Sequence, residues 1–182
     1  MEIIETGFKD LIVIKPLIHA DNRGYFFESF NCDDFQKAGI NFTPVQDNES
    51  KSTKGVIRGL HYQLSPHQQA KLVRVVEGMI YDVAVDLRRS SPTFGKWYGI
   101  ELDSDGKSQL FVPGGFAHGF SVLSDIAIIQ YKVDNVYNRL SERGISLNDP
   151  ELKIVWPTGG ATPVISEKDL KHPSFMEAEY NF

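Results

Sequence analysis

A chain of 182 residues with a formal net charge of −5 is long enough for one domain with a real core, and that charge argues against a nucleic-acid surface, so an anionic small ligand would need a local cluster of arginine and lysine. The single cysteine, Cys32, excludes an internal disulfide and a thiolate metal cage and suits a reducing cytoplasm. No apolar run approaches the ~18 residues of a spanning helix, and the acidic opening MEIIETGFKD lacks the apolar core of a secretory leader.

In chain order, Leu11 to Lys15 reads as a first strand. His19 to Gly24 is a turn, and Tyr25 to Phe30 a second strand. Asp33 to Ala38 reads as a short helix, capped by Asn31 or Asp33 and ended by Gly39. Pro44 to Ser50 is a strand or a loop. Lys54-Gly55 turns into a strand that carries Arg58 and His61. Short strands then recur over 71–76, 79–87, 97–102, 108–112, 118–123 and 126–133, with Glu77-Gly78 as a turn between the first two. Many short strands separated by turns predict an all-β sandwich or barrel. Ser166-Glu-Lys-Asp opens a helical turn in the capping-box pattern, and the tail from Pro173 reads as irregular.

The stretch from Arg58 to Arg88 sets an imidazole (His61), an ammonium (Lys71) and a carboxylate (Asp82) among β-branched residues. Charged groups on such strands must face water or line a pocket, because burial without partners costs several kcal/mol each. Strict alternation would put Arg58 and His61 on opposite faces of one strand. Either Gly59 between them marks a bulge or a close backbone approach, or Arg58 serves a different pocket wall or a neighbouring subunit. Asp169 taken alone is a helix-cap carboxylate. Lys71 taken alone is a solvated strand lysine. Tyr131 shares parity with Ile129 and Val133 and points with apolar residues.

In FVPGGFAHGF, Pro113, Gly115 and His118 match the P-x-G-x-x-H of the second cupin motif. With RGLHYQ, QAKLVRVVEGMIYDVAVDLR, DNRGYFFESF, PVQDNES, SPTFGKW, ERGI, NDP and SEKD in this order, the chain closely resembles the dTDP-4-dehydrorhamnose 3,5-epimerase family from about Phe8 to Pro173. The resemblance implies a cupin-like jelly-roll β-barrel with short flanking helices, residues 1–182 forming one epimerase domain. It implies a dTDP-linked hexose with a ketone at carbon 4; proton transfer beside that ketone needs no redox cofactor, and neither a metal nor a nucleic-acid or membrane partner is expected. It also implies a homodimer, with the region from Arg23 to Glu28 reaching toward the partner's site, and a product used for dTDP-L-rhamnose.

A ketone at carbon 4 acidifies the hydrogens on carbons 3 and 5, and each inversion needs a base, an acid on the other face and a positive group at the oxygen. His61 is the base, because imidazole titrates near working pH. By resemblance Asp169 partners it, Lys71 stabilises the enolate and Tyr131 is the acid. By the same route Tyr137 stacks on thymine, Arg23, Arg58 and Lys168 meet the diphosphate, and Glu28, Gln46, Asp47, Asn48, His118 and Glu142 occupy further substrate-binding positions. His19, His67 and His172 lie in turn-like segments and take no role.

The chain departs from the family at Val133, Asp134 and Val136, where the family carries a cysteine, a threonine and a second tyrosine, and Asn138-Arg-Leu-Ser lacks the usual proline. Three rival readings follow. A metal-dependent cupin needs a His-x-His, but the chain has His61-Tyr62-Gln63. A binding module on the same barrel would need none of the three reactive groups. A sister enzyme would invert one carbon only or shift the ketone.

Overall fold

The computed structural model describes residues 1–182. Its strands are β1 (Glu2–Glu5), β2 (Ile12–Lys15), β3 (His19–Asp21), β4 (Gly24–Phe26), β5 (Gln46–Thr53), β6 (Val56–Gln63), β7 (Lys71–Glu77), β8 (Met79–Asp86), β9 (Trp97–Asp103), β10 (Gln109–Val112), β11 (Phe116–Val122), β12 (Ile126–Val133), β13 (Glu142–Gly144) and β14 (Val164–Ile165). One helix, α1 (Cys32–Lys37), and a 3₁₀ turn over Asp169–Lys171 complete it. One sheet runs β1-β2-β10-β7-β12-β5, and the other runs β13-β6-β11-β8-β9 with β14 parallel to β6. Closed face to face, they make the expected cupin-like jelly roll.

Three apolar clusters explain why so many strands are buried without alternation. Val73, Val75, Ile80, Leu102, Leu110, Phe116, Phe120 and Ile129 fill the space between the sheets. Phe35 of α1 and Phe42 pack with Ile12, Ile14, Leu72 and Phe111, on the side chains that alternate outward from the first sheet. Leu60, Tyr62, Val83, Val85, Ile145 and Phe175 do the same outside the second, under the C-terminal segment. A strand covered on both faces loses the alternation of buried and exposed positions, as in β11, where all seven residues are buried, His118 and Ser121 included.

The structure extends and corrects the sequence reading in a few places. The turn at Glu77-Gly78 does not pair its two strands: β7 and β8 lie in different sheets, and it is the corner that carries the chain from one to the other. The segment from Tyr25 pairs only as far as Phe26, in a small exposed hairpin with β3. α1 is capped by Asn31, whose side chain accepts from the Asp33 and Asp34 amides. β1, β13 and β14 have too few alternating residues to stand out, and each is held by its neighbours' backbone.

The conflict over Arg58 and His61 is resolved by a bulge. His118 pairs with His61 and Phe120 with Arg58, so two steps on β11 match three on β6. Cross-strand partners share a face, so Arg58 and His61 both turn inward with Phe120 and His118. Gly59 sits in the bulge at φ +133°, where an added Cβ would lie 2.6 Å from Gly119 Cα and 3.0 Å from the His118 oxygen. Gly59→Ala is expected to lower stability by at least about 1–3 kcal/mol from backbone strain alone, read as a lower urea midpoint. An unchanged midpoint would show that this crossing is not tight.

Candidate active site

The space between the sheets is apolar at one end and polar at the other. The change follows from strand parity. Lys71 continues the inward row of Val73 and Val75, Tyr131 that of Ala127 and Ile129, Asp82 that of Ile80 and Ala84, and His118 that of Phe116 and Phe120. Lys71, Tyr131 and His118 line a cavity of about 500 Å³ together with Arg58, His61, Lys168 and Asp169, and Asp82 lies behind His118. A second hollow of about 400 Å³, toward Gln46, Asn48, Tyr137 and Glu142, shares His61, Lys71 and Tyr131 with the first. These three residues therefore face one continuous depression.

His61 on β6 and Asp169 on the 3₁₀ turn meet across 108 residues of chain, Nε2 to Oδ1 at 2.8 Å. Ser166 Oγ accepts the Asp169 amide at 3.1 Å, so the cap is real. The Asp169 carboxylate does not turn back to complete a capping box; its other oxygen accepts the Gly59 amide at 3.4 Å. Burial alone would raise the Asp169 carboxyl, but the His61 hydrogen bond and charge and the Gly59 amide outweigh it and hold it below the usual range. An ionised Asp169 fixes the proton of neutral His61 on Nε2 and leaves Nδ1 as the free ring nitrogen.

Lys71 is buried, and burial brings its ammonium down to about 8 against the opposing pull of Asp82 and Glu142. Its Nζ donates to the His61 carbonyl oxygen at 3.4 Å. The Tyr131 phenol is pushed up by burial, with the Arg58 charge pulling the other way. Arg58 itself donates from Nε to Ser52 Oγ at 3.0 Å. His118 Nε2 lies 2.7 Å from Asp82 Oδ1, both groups being buried. Asp82 was passed over as a site residue in the sequence, yet strand parity with Ile80 and Ala84 was there to be read.

The rim is one hydrogen-bonded chain. Lys168 Nζ donates to Glu142 Oε1 at 2.6 Å, and the Tyr137 hydroxyl to Glu142 Oε2 at 2.9 Å. The Tyr137 amide donates to Gln46 Oε1 at 3.0 Å, and Gln46 Nε2 to Asn48 Oδ1 at 2.8 Å. Glu142 is held below the usual carboxylate range: burial opposes this, but Lys168 and the Tyr137 hydroxyl prevail. Of the residues that depart from the family, Val133 is core, and Asp134 accepts the Ala70 amide at 2.7 Å.

Three expected binding residues are not at this cavity. Alternation on β5 turns Asp47 away from Gln46 and Asn48, and its carboxylate pairs with Lys132 at 2.5 Å. Arg23 stands at the hairpin tip, its side chain 86% exposed and paired with Asp21. Glu28 lies near α1, accepting from Asn31 Nδ2 at 3.2 Å.

His172, read as bland, is instead packed beside the His61–Asp169 pair, with Nε2 3.5 Å from Asp169 Oδ1. Its spacing of three from Asp169 in a helical turn was the available signal. The donor atoms of His61, Asp169 and His172 lie within 4.8 Å of one another. The carboxylate there already balances an imidazole, and the Lys71 and Lys168 ammonium groups on the same cavity oppose a dication. The second cupin histidine, His118, is engaged by Asp82 rather than by His61.

The family model for dTDP-4-dehydrorhamnose 3,5-epimerase matches residues 5–177. The chain is 51% identical to the dTDP-4-dehydrorhamnose 3,5-epimerase of Shigella flexneri, over 99% of both chains. It superposes on the crystal structure of the enzyme of that name from Elizabethkingia anophelis with a TM-score of 0.93, at 49% identity and 97% coverage of both chains. The dTDP-6-deoxy-D-glucose-3,5-epimerase of Legionella pneumophila, solved in complex with dTDP-4-keto-L-rhamnose, gives a TM-score of 0.92 at 46% identity, covering 97% of this chain and 93% of that one. A match of this extent, over a barrel with these polar groups at its open end, means that the chain belongs to the dTDP-4-dehydrorhamnose 3,5-epimerase family.

Proposed function

We propose that His61, Lys71 and Tyr131 carry out the two inversions of a dTDP-4-dehydrorhamnose 3,5-epimerase, the isomerase activity of this chain, which turns dTDP-4-dehydro-6-deoxy-D-glucose into dTDP-4-dehydro-L-rhamnose. The observation that carries this reading is the shared depression lined by all three, with Asp169 buried behind His61.

His61 Nδ1 takes the proton from carbon 3 or carbon 5, and the C–H electron pair moves onto the carbonyl oxygen at carbon 4. Asp169 balances the imidazolium that forms, and the Lys71 ammonium faces the enolate oxygen. The Tyr131 phenol gives its proton to the opposite face of the carbon as the enolate collapses to the ketone. Burial keeps that phenol loaded, and Arg58 stabilises the tyrosinate left behind. Solvent takes the proton from His61 and returns one to Tyr131, and the cycle repeats at the second carbon. The balance needs no oxidant or reductant.

Arg58 and Lys168 meet the diphosphate, with Tyr137 on the thymine and Gln46, Asn48, His118 and Glu142 on the base and sugar. Residues 1–182 act as one domain. Two copies form a homodimer in which the exposed hairpin, with Leu17, Ile18, Tyr25 and Phe26 open to solvent, brings Arg23 and Glu28 to the second copy's site. The exposed thiol of Cys32 fits a cytoplasmic enzyme of dTDP-L-rhamnose biosynthesis.

In heavy water, turnover of dTDP-4-dehydro-6-deoxy-D-glucose is expected to place deuterium at both carbons 3 and 5. Label at one carbon alone would reduce the chain to a single-carbon epimerase, and none would favour a binding module. His61→Asn should lose exchange at both carbons by about 10²–10⁴-fold, while Tyr131→Phe should impair inversion more than exchange. Because only the Lys71 ammonium stabilises the enolate, kcat/KM should fall as pH rises through about 8; a plateau well above that pH would remove Lys71 from this role. Sedimentation should show a dimer, with Arg23→Ala raising KM without splitting it; a monomeric wild type would sink the shared site.

A further inference from the structure

Three candidates outside the assigned roles stand out. The groove near Lys9, Asp10 and Phe111 shows nothing of what would fill it. The exposed apolar hairpin belongs to the proposed dimer. The third, His172, carries an argument.

His172 lies in neither half of the proposed proton path, yet it is built into its back wall. Its side chain is 12% exposed, and Nε2 is buried with no hydrogen-bond partner in the resting arrangement. That nitrogen faces Asp169 Oδ1 at 3.5 Å, the same oxygen that accepts His61 at 2.8 Å. The two imidazoles meet edge to face, centroids 5.5 Å apart at 79°. Space for the ring comes from Gly144, the cross-strand partner of His61: a Cβ there would collide with His172 Nε2, and would lie 2.5 Å from Cδ2 and Cε1. Pro173 fixes the approach, its carbonyl accepting the Ser146 amide at 2.8 Å.

We propose that His172 is a positioning residue for the epimerase reaction: a second imidazole, seated on Gly144, that shares Asp169 Oδ1 with His61 and holds the base and its carboxylate in one arrangement.

This rests on the proposed role of His61 and deepens it. A carboxylate oxygen has two acceptor directions. His61 uses one. His172 Nε2 faces the other at 3.5 Å, as a neutral N–H. The second donor draws charge from Asp169, so that His61 gives up its proton more readily, and the ring edge stops His61 from swinging off the carboxylate. His172 must be neutral for this. Burial first, and then the His61 charge, lower its tendency to protonate, with Lys168 adding to this and Asp169 opposing. The other charged groups around the pair are Lys71 on β7, Glu142 on β13 and Arg58 on β6.

The test compares His172→Phe, which keeps a ring without a donor, with His172→Gln, which keeps a donor, and with Gly144→Ala, which displaces the ring. Rates are followed from pH 5 to 9 by deuterium exchange at carbon 3. His172→Phe should lower kcat roughly tenfold with KM within about twofold, since misplacing a catalytic group costs rate more than binding. It should also move the acid limb of kcat/KM to higher pH, because Asp169 then binds the imidazolium more tightly. His172→Gln should restore the limb, and Gly144→Ala should move it as His172→Phe does. Wild-type kcat and limb in His172→Phe would overturn the proposal, and so would a loss that follows thermal stability alone with the limb unmoved and no rescue by glutamine. A wild-type protein that exchanges no deuterium would instead sink the epimerase mechanism itself.

Discussion

The hydrogen bond between His61 and Asp169 ties the middle of the barrel to the C-terminal segment. Asp169 can be ionised while nearly buried only because His61 and the Gly59 amide compensate it, and each depends on a different part of the fold. The bulge at Gly59 turns His61 inward and leaves an amide free to meet the carboxylate. The 3₁₀ turn, held at Ser166, sets the carboxylate at the right height. Loss of either would leave a charge in the wall of the barrel without a partner.

The same constraint runs through the open end of the barrel. His118 and Asp82 form a second buried imidazole–carboxylate pair, and Lys71 lies among Val, Ile and Leu with Asp82 and Glu142 pulling its proton back on. Polar groups in such a place cost stability and specify a site rather than strengthen a core. Water would weaken the field of the Lys71 ammonium; a walled cavity preserves it. The Glu142–Lys168–Tyr137 chain then closes the rim without leaving the Glu142 carboxylate uncompensated.

Some of this could be read from residue order. Alternation on β12 pointed Tyr131 with Ile129, and the structure keeps that parity. Alternation on β5 could also have removed Asp47, whose neighbours Gln46 and Asn48 face the other way, had the segment been taken as a strand rather than as a strand or loop. His172 ends the short turn that begins at Asp169, and its spacing of three from that carboxylate is only a weak mark in the sequence. Its meaning lies in Gly144, 28 positions earlier in the sequence, and that relation exists only once β13 is laid against β6.

By itself the sequence determined the all-β class, the position of most strands, the cap at Ser166 and, through a run of motifs in fixed order, the family. Those are properties of neighbouring residues: period-two burial, turn chemistry and local capping. Only the tertiary structure decided that Asp82 meets His118, that Arg58 and His61 share a face, that Glu77-Gly78 passes between sheets, and that Arg23 and Glu28 lie away from the cavity of their own chain. Each of these depends on pairing between segments tens of residues apart, where one extra residue in a strand reverses the face of every side chain beyond it.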